Sequence, residues 1–178
     1  MVAKPRDGLL VAAKIATILV RIGLVIGMIG LGVATTIAVI SPEWLSGHLI
    51  VQMEPDALKD VTGAAVLVTL ITLCSLGLMF DFVERLAKII DTVGQGDPFT
   101  ADNAARLTRM GWLALIVQLL GIPVMLMSTW LSSRIEPGVF EISSDPSFTG
   151  FALALVLFIL ARVFREGAAM RDDLEGTV

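Results

Sequence analysis

The chain alternates between long runs with no ionisable side chain and shorter segments dense in charge. Four runs stand out: Ile22 to Pro42 (21 residues), Val61 to Phe80 (20), Met110 to Ser133 (24), and Pro146 to Ala161 (16), which lengthens through Arg162 to Phe164. A helix crossing a hydrocarbon core of about 30 Å needs about 20 predominantly apolar residues. The first three runs satisfy that outright. The fourth does so if Arg162 carries its guanidinium to headgroup depth on its long stem. The expected fold is an all-α membrane protein, with four transmembrane helices in one bundle and a single domain over residues 1–178. The spans are placed at about 18–40, 61–82, 108–131 and 147–164. After the second run, Phe82, Leu86, Ile89, Ile90 and Val93 continue at helical spacing, while Asp81, Glu84, Arg85, Lys88 and Asp91 fill most of the other positions. Helix two therefore extends beyond the membrane as an amphipathic segment. Gly94-Gln95-Gly96 breaks it and Asp97-Pro98-Phe99 makes the turn. Thr100 caps a third helix that runs through Arg106 and Arg109 into its span. Helices two and three thus form a hairpin outside the bilayer.

Orientation follows from Lys and Arg alone. Of the 13 basic residues, 11 lie in the N-terminal segment, the middle loop and the tail; only Lys59 and Arg134 lie in the other two loops. That split puts both termini and the hairpin in the cytoplasm. Trp112 and Trp130 stand at the two ends of the third span, and Trp44 lies just past the outer end of the first. These are the depths tryptophan prefers, because its ring is apolar and its N–H wants a partner. The run from Ile22 exceeds the apolar region of a cleaved signal peptide, about 7–15 residues, and VATTIAVISP offers no convincing small-x-small cleavage site. It reads as a retained span. The segments HLIVQM and VFEI are expected to form short outer strands.

Composition agrees and excludes other classes. Hydrophobic side chains make up 56% of the chain, charged ones 17%, and the mean hydropathy is +0.85. A soluble domain carries about a quarter charged residues. A net charge of −4 argues against direct nucleic-acid binding, and one cysteine excludes a disulfide scaffold. The outer loops hold Glu43, Glu54, Asp56, Asp60, Glu136, Glu141 and Asp145, leaving an acidic face that follows from depletion of Lys and Arg.

Inside the first span, Gly23, Gly27, Gly30, Ala34 and Ala38 form one small-residue stripe. Small faces let helix backbones approach closely in lipid. The stripe is read first as packing against the protein's own spans, with a homodimer seam as the alternative. Pro123, near the middle of span three, frees the carbonyl of Leu119 and kinks the helix, one turn after Gln118. No Asp, Glu, Lys, Arg or His lies in the middle of any span, which disfavours coupled transport. His48 is the single histidine, and Cys74 reads as a small buried apolar residue in span two. No nucleophile elbow, phosphate loop or zinc-protease motif occurs. The residues therefore suggest no catalytic, cofactor-binding or metal-binding set, and no cofactor.

The hairpin segment GQGDPFTADNAARLTRMGW resembles the signature of an uncharacterised bacterial membrane family, domain of unknown function 2975. Gly96, Pro98, Phe99, Thr100, Asn103, Arg106, Leu107, Gly111 and Trp112 match its pattern. The tail is similar to the family's closing segment at Phe164, Arg165, Glu166, Gly167, Asp172, Asp173, Thr177 and Val178. Met170 and Gly176 stand where that segment has leucine. The resemblance implies a small four-helix membrane protein; members encoded beside a short helix-turn-helix regulator suggest a signalling partnership with such a protein, and the resemblance brings no activity, cofactor or substrate. Asn103 and Arg106, three apart, share a helix face. Arg106 or Arg109 is expected to pair with Asp81, Glu84 or a tail acid in a structural clasp, rather than to form a ligand site. Three functions are ranked: a non-enzymatic inner-membrane regulator or anchor acting through hairpin and tail, a small channel or transporter subunit, and a membrane-interface enzyme.

Overall fold

A computed structural model describes residues 8–41, 55–133 and 147–175. The two proposed outer strands, Trp44 and His48 lie outside the described residues. Those residues form four helices: α1 (Gly8–Ile40), α2 (Pro55–Gln95), α3 (Ala101–Ser132) and α4 (Phe148–Glu175). All four are long and apolar enough to cross a membrane. They overrun the predicted spans. α1 begins at Gly8 and α2 runs 41 residues, about 60 Å at 1.5 Å per residue, twice a hydrocarbon core. The excess holds the charged residues that flank the uncharged runs, Lys14 and Arg21 on α1 and Asp81, Glu84, Arg85, Lys88 and Asp91 on α2.

Two compact units divide the helices. The first takes the chain to Leu24, Met79–Ile116 and Phe148–Val178; the second takes Val25–Leu78 and Val117–Ser147. In the first, Ile89, Leu107, Met110, Leu157 and Ala161 are buried together, with Phe82, Leu86, Ala114 and Phe164 packed against them. On α4 the inward residues Leu157, Ala161, Phe164 and Ala168 step by four, three and four, the spacing of one helix face. In the second unit the buried positions are Val61, Ala64 and Val68 on α2, with Val124, Ser128 and Leu131 on α3.

Large apolar side chains also point outward. Ile26, Ile29, Leu126 and Leu155 are between 60 and 65% exposed. Lipid accepts such side chains and water does not.

Two expectations fail here. Cys74 is exposed rather than buried. It is six residues past Val68, about 120° away from the buried line of α2 at 100° per residue. The glycines of the α1 stripe do not pack against the protein's own described spans, because a Cβ at Gly23, Gly27 or Gly30 would meet nothing within 4 Å. α1 turns Thr17 inward instead, with Lys14 and Arg21 paired to Asp91 and Glu84 of α2.

Candidate functional site

The hairpin turn is built from paired helix ends. Gly96, with φ of 87°, is the left-handed residue that closes α2. Its N–H reaches the Val93 carbonyl at 3.0 Å, and the Asp97 N–H reaches that of Thr92 at 3.1 Å. These are the two bonds of a Schellman motif, and glycine takes this conformation without a Cβ clash. Three residues later Thr100 caps α3, its Oγ1 accepting the Asn103 N–H at 3.2 Å. Asp102 sits in the first turn, where its charge suits the helix dipole.

Asn103 is the centre of the joint and is wholly buried. Its Nδ2 donates to Thr92 Oγ1 at 2.7 Å and to the Pro98 carbonyl at 2.9 Å, and its Oδ1 accepts from Arg106 Nη1 at 2.7 Å. The Thr92 hydroxyl in turn donates to the Ile89 carbonyl at 2.8 Å. Every polar atom of the Asn103 side chain is therefore matched, and the amide spans the end of α2, the turn and the start of α3. Arg106 Nη2 lies 3.6 Å from Asp102.

The end of α4 closes over this joint. Phe99 stacks obliquely on Phe164, with ring centroids 5.0 Å apart. A Cβ on Gly167 would stand 2.9 Å from Phe99 Cδ1, so the ring needs a glycine beneath it. Arg171 bonds and pairs with Asp97 across the turn. One turn into the core, Leu107 is buried. A Cβ on Gly111 would come within 2.9 Å of the Phe158 ring, which makes a T-shaped contact with Trp112, ring centroids 5.4 Å apart.

A rim of ion pairs surrounds the joint. Arg85 forks onto Asp81 at 3.0 and 3.1 Å, and Arg109 reaches the same carboxylate at 3.7 Å, as the sequence suggests. Glu84 has a different partner from those considered: Arg21 of α1, at 2.5 Å. Lys14 pairs with Asp91 at 2.6 Å, and Arg21 also lies over the Phe80 ring at 5.7 Å. The cations are seven residues apart on α1 and the anions seven apart on α2. That matched spacing, two helical turns on antiparallel helices, is the sequence signal that would have revealed the register.

Gathered in the joint are thus Gly96, Pro98, Phe99, Thr100, Asn103, Arg106, Leu107, Gly111, Phe164 and Gly167. Trp112, Arg165 and Glu166 sit elsewhere, around a cavity between α3 and α4. Among the described residues, no three His, Cys, Asp or Glu side chains come together as a metal site.

Residues 49–178 match the family model described as Protein of unknown function (DUF2975). The chain belongs to this family. No curated protein and no solved structure matches it. The DUF2975 match takes in α2, α3 and α4, and α1 precedes it. Four helices of this length and composition make this DUF2975 chain a multi-pass membrane protein. Its second unit holds a cavity of about 760 Å³ lined by Pro123, Asp60, Gly63 and Trp130 among others.

Proposed function

We propose that this DUF2975 protein is a non-enzymatic regulatory or anchoring protein of the bacterial cytoplasmic membrane. Both termini and the α2–α3 turn lie in the cytoplasm, and the protein works by binding another protein there. The 11-to-2 split of Lys and Arg supports the orientation. The observation that carries the reading is at the end of α4, where Met170 and Leu174 are 63% and 72% exposed, four apart on one face. Met170 is eight residues beyond Arg162, about 12 Å past the close of the apolar run. No hydrocarbon receives these side chains at that height, and the Arg171–Asp97 pair tethers the helix that bears them. An exposed apolar pair on a fastened helix end suits docking of a partner helix or groove.

The polar groups of the joint support a structural role for the motif, since the hydrogen bonds of Asn103 and Thr92 go to groups within the joint. A small helix-turn-helix regulator suits the partner's place. The nucleic acid would be that partner's ligand, given this chain's net charge of −4. The alternative of a small channel draws on one observation, the cavity beside Pro123.

A photoreactive residue placed at Met170 tests the proposal in native membranes. The expected result is one discrete cross-linked cytoplasmic protein, lost on Leu174→Glu. Purified protein that moves an ion or solute down its gradient in liposomes, with no partner present, contradicts it in favour of the channel.

A further inference from the structure

Three motif residues take no part in the joint, and all three face one cavity. It lies between α3 and α4 within the first unit and measures about 500 Å³. Its floor is apolar, made by Phe158 and Ala161, with Trp112 and Phe158 in a T-shaped contact. Its mouth carries Arg162, Arg165, Glu166 and the Thr108 hydroxyl. On α4 the uncharged run from Pro146 ends at Ala161, so both arginines stand in the first turn beyond it. On α3 the uncharged run begins at Met110, so Trp112 stands in its first turn. Both helices therefore put the cavity mouth at the boundary between hydrocarbon and headgroups. Trp112 is 56% exposed there, at the depth its amphipathic ring favours.

The charges at the mouth are open to a ligand. Among the described residues Arg165 is exposed and in no ion pair, while Arg162 pairs only with Glu166, at 3.0 Å and with both side chains more than 60% exposed. Such an exposed pair is weakly held and exchanges readily. The Thr108 hydroxyl, in the cavity lining, donates to the Ala104 carbonyl and keeps its capacity to accept a hydrogen bond.

We propose that this cavity binds the phosphodiester headgroup of an anionic phospholipid, with Arg165 and Arg162 on the phosphate and an acyl chain along Trp112 and Phe158. Guanidinium groups suit phosphate oxygens, and basic pockets between membrane helices at headgroup level take such lipids. The apolar floor selects a lipid over a soluble phosphate. Glu166 opposes binding twice, by repelling the phosphate and by holding Arg162. The inference rests on the membrane placement of the helices and is independent of the protein-partner reading.

The test uses the full chain with Trp44→Phe and Trp130→Phe, which leaves Trp112 as sole fluorophore, in phosphatidylcholine vesicles. A small fraction of brominated phosphatidylglycerol should quench Trp112 more than the same fraction of brominated phosphatidylcholine. Arg165→Gln should lower that enrichment about fivefold, and Glu166→Gln should raise it. Lys88→Gln, which removes the same charge from α2, should leave it unchanged. Because the Glu166 variant predicts a gain, misfolding of the arginine variant cannot imitate the full pattern. Equal quenching by the two lipids overturns the proposal, as does an equal loss in Lys88→Gln. A shift in Trp112 emission on adding glycerol phosphate to phosphatidylcholine vesicles, with no preference between the brominated lipids, overturns it in favour of a soluble ligand.

Discussion

Asn103 has no exposed surface and three matched hydrogen bonds, so replacing it strands groups on three segments at once. Buried hydrogen bonds contribute about 0.5–1.5 kcal/mol each, so Asn103→Ala should cost roughly 2–4 kcal/mol. Arg106 is 23% exposed in its side chain and keeps contact with Asp102, and Arg106→Ala should cost about 1 kcal/mol. Melting of the purified protein in detergent should show the double variant losing less than the sum, because one bond is counted in both single losses. Additive losses would place the two residues in separate interactions. Much of this joint was legible as residue types: a glycine after α2, a threonine cap, and an asparagine and arginine on one face. The role of Asn103 as a three-way hub was not, since its bond to Thr92 joins residues 11 apart through a turn whose path depends on Gly96.

The helices themselves are the most legible level, because runs of about 20 apolar residues have few other fates. Which face of each helix is buried was hard to read for a physical reason. In lipid, outward and inward positions are both apolar, so periodicity fades along the spans. Cys74 and the α1 glycines were misplaced on that account. Periodicity returns where the helices meet water, and there Phe82, Leu86 and Ile89 do face the core. The register of α1 on α2 follows from charge: Lys14 with Asp91 and Arg21 with Glu84. The inner pair, with side chains 37% and 31% exposed, should outweigh the outer, whose side chains are about half exposed. Arg21→Glu should lower the melting temperature by the equivalent of about 1 kcal/mol, and adding Glu84→Arg should restore most of it. Failure of the swap to recover stability would mean that apolar packing alone sets the register.

For the whole molecule, the joint, the rim of ion pairs and the exposed end of α4 all belong to the first unit. The proposed function requires that unit's turn to face the cytoplasm. Cysteine accessibility measures this directly, since Cys74 is the chain's only cysteine and Cys74→Ala gives a blank background. Single cysteines replace Gln52 and Ile142 in the loops expected outside, and Gln95, which is exposed at the end of α2. A membrane-impermeant maleimide applied to intact cells should label the cysteines at 52 and 142 and should reach the one at 95 only after permeabilisation. Labelling of position 95 in intact cells, with 52 and 142 protected, would contradict the account.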